Sequence, residues 1–457
     1  MRERVIACDK FKFIDILDVS SHKTVNEHAA FYIKGHIIAD TNENMLHNAA
    51  GKSVSFTATG ADGDKKLFCG LISNIDIHTE NEVCTLAINA VSQSTLMDID
   101  AETRTFQDSD MAYQDITKLM EEKNSKFNFF WPSNGASKIG SMMVQYKETD
   151  WQYAMRLAGS LGTVVVPDYL LDNPYISIGM LKKTAKATID AISYSIKKDI
   201  KQFRDNKFVG NFSENDAISY IVKSREIYDL CDSVTFLGKT LYVYAIDTMY
   251  EGEELVHCYT LKEESGFYTK QTFNENLIGA SMRGTVTKIR EDKVQIRLND
   301  DVEQSGYKWF PYATPFSQPD GYGWYFMPEV GDEVRLQFPS EQEHDAYVSS
   351  AVHVSYGNRQ APQTKYIRTI YGQVIQFDPN KILIADGAGS SITMHKKQGI
   401  SMDTDKTVKV DAQSDITISA FGKVVIAGES GVVMQKNDSV ISIDDAIDIS
   451  SEHTRVQ

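Results

Sequence analysis

Residues 384–440 read IADGAGSSITMHKKQGISMDTDKTVKVDAQSDITISAFGKVVIAGESGVVMQKNDSV. Every eighth position is a β-branched aliphatic: Ile384, Ile392, Ile400, Val408, Ile416, Val424, Val432 and Val440. Six of these are followed two residues later by a second apolar side chain, namely Met394, Met402, Val410, Ile418, Ile426 and Met434. The residues between are mostly Ser, Thr, Asp, Lys, Gln and Gly. Side chains alternate along a strand, so an i, i+2 apolar pair marks a short strand with one buried face. β-branched residues suit that pleated surface. Gly399, Gly422, Gly428 and Gly431 fall between the pairs, where turns call for positive φ. A fixed period is the mark of a repeat architecture, in which each unit packs mainly on its neighbours.

Eight residues make a very short coil. One chain winding alone has about two inward residues per coil and encloses little core. Three chains wound together pool those residues into a continuous apolar axis, and pairing strands between chains removes the exposed edges. The repeat therefore predicts a homotrimer with cyclic symmetry and a C-terminal triple-stranded, intertwined β-helix. The axial residues are the fourteen named above. A single-chain β-solenoid or an ordinary β-sandwich remains the alternative, and would need longer coils or irregular spacing. After Val440 the residues Ile441, Ile443, Ile447 and Ile449 continue in a shifted register, and the polar tail from Ser450 to Gln457 is expected to cap or fray.

Working outward, the 457 residues suggest about three domains. The chain is 42% hydrophobic and 24% charged, as folded protein is, and its formal net charge is -16. A nucleic-acid binder needs a basic face to displace counterions from phosphates, so this balance argues against one. The five cysteines lack metal-ligand spacing and read as small, mostly buried hydrophobes in a reducing cytosol. The N-terminus has no apolar signal-peptide core, and no run of about 18 apolar residues exists to span a membrane. Synthesis in the cytoplasm and export without a signal peptide are the expectation.

Upstream of the repeat, residues 281–355 read as a small barrel. Gly284–Ile289 and Lys293–Leu298 alternate around a charged turn at Arg290-Glu291-Asp292. A polar, aromatic stretch follows through Trp309 and Pro311 to Trp324-Tyr325-Phe326-Met327. Pro328 and Gly331 then make a turn into Glu333–Phe338, where Val334, Leu336 and Phe338 point inward, and Ala346–Val354 supplies a last strand. About five strands in this length fit an OB-type barrel. Such barrels often bind oligonucleotides, but this one is rich in Asp and Glu.

Residues 1–278 are mixed. Alternation at Phe11–Val19, Ala29–Ile38, Ser53–Ala58, Leu67–Ile77 and Cys84–Val91 suggests a first barrel-like β unit. Met111–Lys123 carries a helical pattern with Ile116, Leu119 and Met120 on one face and Asp108, Ser109 or Asp110 as a cap. Asp150–Ser160 is the clearest helix, capped by Thr149 or Asp150 and ended by Gly159 or Gly162. Thr188–Phe203 and Ala217–Ile221 alternate again, and Thr235–Ala245 and His257–Leu261 read as strands of a second β unit.

Six stretches carry a resemblance. Gly284-Thr-Val, Val294-Gln-Ile-Arg-Leu298 and Met327-Pro-Glu-Val-Gly-Asp-Glu-Val-Arg-Leu336 look like the OB domain of VgrG, the type VI secretion spike, and of baseplate spike proteins of contractile-tailed phages. Tyr146 to Gly162 resembles the signature helix of the same hub family, and Phe68-Cys-Gly-Leu-Ile72 and Arg104-Thr-Phe-Gln107 sit where that family has its "F-x-G-x-V" strand and "R-x-F-Q" step. The resemblance implies a mainly β chain with a few helices. Its expected parts are a tail-hub-like domain at 1–278, an OB fold at 281–355, a linker at 356–367 and the trimeric spike at 368–457. It further implies a non-enzymatic hub and puncturing spike of a contractile injection system. Such a spike caps the inner tube, meets baseplate proteins, carries a PAAR-like tip protein or effectors, and touches the target membrane only in passing.

Catalytic chemistry is not legible. The ten histidines are scattered, with no HExxH or HxH, and there is no GxSxG, P-loop or GxGxxG. No catalytic residue, cofactor or metal site is expected. Neither the polar run from Val354 to Arg368 nor the short tail after the last repeat has room for an inserted lysozyme-like or trailing effector domain. A tail-associated cell-wall hydrolase and a trimeric receptor-binding fibre stay as alternatives.

Overall fold

The computed structural model of the protein describes residues 5–38, 51–60, 63–182, 188–206, 212–301, 307–318, 322–349, 361–453 and 455. It divides into two compact units, Met1–His353 and Val354–Gln457.

The first unit is organised by an eleven-stranded sheet. Its order runs Val5–Cys8, Ser53–Gly60, Gly63–Glu80, Val83–Ser92, Ala30–Ile37, Phe13–Thr24, Lys239–Glu251, Glu254–Lys262, Ile218–Ser224 and Ser193–Lys198, with Ser233–Phe236 also paired to Lys239–Glu251. The two β units read from alternation are thus joined, because Ser20–Thr24 pairs antiparallel with Ala245–Met249. They also share one core, in which Val19, Ile33, Phe56, Phe68 and Leu86 from one half meet Val222, Val234, Leu241 and Tyr259 from the other. The alternation explains this: in Val83–Ser92 every second side chain is buried.

Two expectations change here. Thr188–Phe203 is not one alternating strand. The strand stops at Lys198, and Ile200–Asn206 is helical. Asp199 accounts for the switch, since its carboxylate accepts from the Gln202 amide at 2.8 Å in the manner of an N-cap. Thr235–Ala245 is not continuous either, because Leu237 (φ 48°) and Gly238 (φ 73°) fold it into a hairpin between Ser233–Phe236 and Lys239–Glu251.

Between the two halves of the sheet lie two helices and short strands. Asp150–Ser160 begins at Thr149, whose hydroxyl accepts from the Gln152 amide at 3.1 Å while the Gln152 side chain accepts from the Thr149 amide at 3.2 Å. This reciprocal capping box resolves the choice between Thr149 and Asp150. The chain leaves the helix through Gly162 at φ +63°. We expect Thr149→Ala to cost about 1 kcal/mol and Thr149→Ser to recover most of it, read by thermal denaturation; equal melting of all three would mean the cap contributes nothing. The other helix, Tyr113–Lys123, buries Ile116 and Met120 as expected. Its N-cap is Ala112, with no side-chain hydrogen bond, so none of Asp108, Ser109 and Asp110 caps it.

Residues 281–349 form a five-stranded sheet in the order Trp309–Pro311, Lys293–Leu298, Ser281–Arg290, Glu333–Gln337, Tyr347–Ser349. Its ends meet, since the Ala313 amide donates to the Val348 carbonyl at 2.7 Å and Tyr312 bridges Val348. That closure makes the OB barrel. Val334, Leu336 and Phe338 are buried inside with Val294, Ile296 and Phe310. The end of the last expected strand, 350–354, lies outside the described residues, as do 356–360 of the expected linker.

The second unit holds two small antiparallel sheets. One is a meander of Lys365–Arg368, Val374–Phe377, Lys381–Ala385, Ser391–His395 and Gly399–Asp403; the other joins Val432–Lys436, Ser439–Ile443 and Ile447–Ser450. Gly399, at φ +86°, enters the last strand of the meander through a turn that a side chain would strain. No strand is assigned from Thr404 to Gly431.

Candidate assembly surfaces

The meander's register decides which side chains share a face. Ile375 pairs Ile384, Phe377 pairs Ile382, Ile384 pairs Ile392, and Ile382 pairs Met394. Ile392 then pairs Met402, and Met394 pairs Ile400. Because the side-chain period is two, one face carries Ile375, Phe377, Ile382, Ile384, Ile392, Met394, Ile400 and Met402. The other carries Gln376, Leu383, Thr393, Ser401 and Asp403. Five of the fourteen expected axial residues (Ile384, Ile392, Met394, Ile400 and Met402) are therefore on one apolar face. That face is open in the single chain, and Ile400 is 70% exposed. The strand pairing differs from the expected one: along 365–403 each strand finds its partner within its own chain.

The next six expected residues, Val408, Val410, Ile416, Ile418, Val424 and Ile426, lie in the stretch without strands, and all are exposed, Ile418 by 71%. From Asp405 to Ala427 no backbone–backbone hydrogen bond is made among the described residues, and the Lys406 amide donates to the Thr404 hydroxyl at 3.1 Å. In the distal sheet Val432 pairs Ile443 and Met434 pairs Ile441, which pairs Ile449. Val432, Met434, Ile441, Ile443, Ile447 and Ile449 thus share a face. Val440 pairs Gln435 and Ser450 and is on the opposite face, apart from the other expected axial residues. The shift of register noted after Val440 in the sequence begins one residue earlier, with Val440 itself.

In the first unit, buried charge ties the hub half to the barrel. The Arg104 guanidinium donates to the Asp150 carboxylate and, at 2.8 Å, to the Gln145 side-chain carbonyl. Arg156 donates to both oxygens of Glu148 at 2.9 and 2.8 Å, to the Val144 carbonyl, and to Glu343 of the barrel at 2.9 Å. Burial opposes the Arg156 charge, but the Glu148 and Glu343 carboxylates more than offset it and hold its pKa above the usual value. A second knot joins Thr105 and Gln107 to Asp301: the Thr105 hydroxyl, the Gln107 amide at 2.6 Å and the Leu298 amide at 2.9 Å all donate to that carboxylate. Arg104, Thr105, Gln107, Asp150 and Arg156 belong to the stretches on which the resemblance rests. The structure shows what they do: Thr105, Gln107 and Arg156 lock the hub onto the barrel, while Arg104 and Asp150 pair with each other inside the hub half. Their barrel partners, Glu343 and Asp301, were not singled out; nothing local in the sequence marks them.

Burial pushes the Asp301 carboxyl up to about 6, against the pull of its three donors. In the unfolded chain it titrates near ~3.9. The sign follows: a folded-state pKa raised above the unfolded one contributes stability that is present below pH ~4 and lost as pH rises through about 6. Two pH units correspond to at most about 3 kcal/mol. Asp301→Asn can still accept from Gln107 and Leu298 while its amide donates to the Thr105 oxygen. We expect it to flatten the melting-temperature profile between pH 4 and 7, relative to the parent chain; an unchanged slope would place the titration elsewhere.

Among the described residues no group of three or more His, Cys, Asp or Glu could hold a metal ion, and no helix is long and apolar enough to cross a membrane. Cys69, Cys84 and Cys231 are buried.

Residues 30–167 match the family model of the phage tail baseplate hub (GPD), and residues 282–353 match that of the type VI secretion system/phage-baseplate injector OB domain. These two stretches are those of phage tail hubs and type VI injector spikes. The barrel and its buried links to the hub are thus those of a baseplate-hub, VgrG-like structural protein. Solved structures agree on the fold. The E. coli c3393 protein, a type VI component with structural similarity to T4 bacteriophage tail proteins gp27 and gp5, has a TM-score of 0.54 at 11% identity, covering 75% of this chain and 99% of that one. The half-lidded Francisella PdpA–VgrG complex has a TM-score of 0.56 at 10% identity, covering 88% of each chain. The lidless PdpA–VgrG complex has 0.55 at 10%, covering 88% of this chain and 98% of that one. No curated protein sequence matches the chain.

Proposed function

We propose that three copies of this hub protein close their apolar repeat faces on one another to form the spike of a contractile injector. The observation that carries this reading is the second unit itself. It presents an exposed apolar face on each sheet, joined by a stretch, 405–427, whose backbone makes no backbone–backbone hydrogen bond among the described residues. Unpaired extended backbone with outward aliphatics is an aggregation hazard unless another chain covers it. Copies of the same chain cover it in register, because each supplies an aliphatic at every eighth residue. In this arrangement the expected β-helix is completed between chains along 404–431, while the meander contributes preformed walls. Each aliphatic brought from water to the axis is worth roughly 1.5–3 kcal/mol.

The hub domain caps the inner tube and meets baseplate proteins, the trimeric spike is driven forward through the target envelope, and a PAAR-like tip or an effector rides at its end. The family models and the complexes with PdpA support the baseplate or tail partners and the effector. The protein works mechanically, without catalysis, and leaves its cell within the assembled particle. Val424→Cys tests the closed axis: a short two-armed thiol cross-linker should convert the full chain into covalent dimers, and a three-armed one into covalent trimers, absent from the parent. Cross-linking no greater than the parent's would overturn the closed axis. Incubation of the purified protein in a peptidoglycan gel should leave no clearing; a cleared band would favour a hydrolase.

A further inference from the structure

A cleft of about 1140 Å³ lies in the first unit, walled by residues 130–134, 161–163, 180–182, 239–242 and 263–268. Gly162 lets the wall close, because a side chain there would start 3.0 Å from the Tyr268 ring. Phe130, 41% exposed, and the half-buried Tyr242 and Tyr268 give the cleft aromatic surface. Four charged side chains line it, and each is paired. Lys239 meets Glu263 at 2.7 Å and Lys182 meets Glu264 at 2.6 Å. The lining charge therefore sums to zero, in a chain of net charge -16. The Ser265 hydroxyl is spent on Asp216. The side chains of Ser133, Asn134, Thr163 and Thr240 take no part in a hydrogen bond among the described residues. The cleft thus sets aromatic carbon beside unspent neutral donors and acceptors.

We propose that this cleft binds a neutral oligosaccharide. A sugar ring has an apolar C–H face and a hydroxylated edge, which match aromatic surface and amide or hydroxyl groups respectively. A charged ligand gains little from a lining whose charges already cancel. A purely apolar ligand would cover the four unspent polar side chains without giving them partners. The volume exceeds the ~300–1,000 Å³ of pockets that enclose a drug-sized ligand, so more than one sugar ring fits. The site is independent of the trimeric spike, which concerns the other unit.

The test is isothermal titration calorimetry on the full chain, with cellotetraose, maltotetraose and chitotetraose as neutral probes. At least one should bind. The acidic tetramer of galacturonate and the cationic tetramer of glucosamine should bind about tenfold more weakly or worse. Phe130→Ala removes an exposed ring and Thr240→Val an exposed hydroxyl, so both should melt with the parent chain. At least one of these folded variants should weaken binding of the neutral probe about tenfold. Binding of none of the neutral probes would overturn the proposal. So would charged tetramers that bind as well as the neutral one, or unchanged affinity in both variants.

Discussion

Ile416→Asp is expected to leave the chain monomeric. In the closed spike it sets three carboxylates around one axis in apolar surroundings. At an effective dielectric of about 20 and a separation of about 5 Å, each like-charged pair repels by roughly 3 kcal/mol. Removing three buried aliphatics forfeits about 1.5–3 kcal/mol each. Together the loss is on the order of 10 kcal/mol or more, enough to dissolve most assemblies at micromolar concentration. Protonation relieves the repulsion, so trimer should partly return below about pH 4. Thr417→Asp is the control, since the alternation turns residue 417 away from the axis. Light scattering reads both variants. A heat-resistant trimer of Ile416→Asp would rule out the axial placement.

The second large effect belongs to Arg156. Its side chain is 5% exposed, its partners Glu148 and Glu343 are 9% and 12% exposed, and it pairs with both. Removing one member of a buried pair strands the other and costs about 3–5 kcal/mol. We expect Arg156→Met to destabilise the hub–barrel junction by that amount, seen in calorimetry as a lowered or split unfolding transition. Arg156→Lys should fall between, because an ammonium cannot repeat the two-point contact with Glu148. Adding Glu148→Gln to Arg156→Met should recover part of the loss. If Arg156→Met melts within about 1 kcal/mol of the parent, the pair is not holding the junction.

The repeat was legible because it is written in local sequence: period eight sets the strands and period two sets the face. For the same reason Ile384, Ile392, Met394, Ile400 and Met402 were found together, and they share one face in the meander. What local spacing cannot say is whether a strand's neighbour is the same chain or another. The within-chain ladder along 365–403 was missed on that account. Val440 was included because it keeps the period, although its neighbours had already changed register. The short helix at Ile200–Asn206 was hidden under apparent alternation, with Asp199 as its only signal. The Arg156–Glu343 and Thr105–Asp301 contacts bridge 187 and 196 residues of chain, and no spacing rule reaches that far.

The mass of the native full-length particle tests the trimeric spike most directly, measured together with hydrogen exchange across residues 405–427. The expected result is a single species at three times 51.3 kDa in which those amides are protected. A particle at 51.3 kDa whose 405–427 amides exchange as freely as an unfolded chain would contradict it.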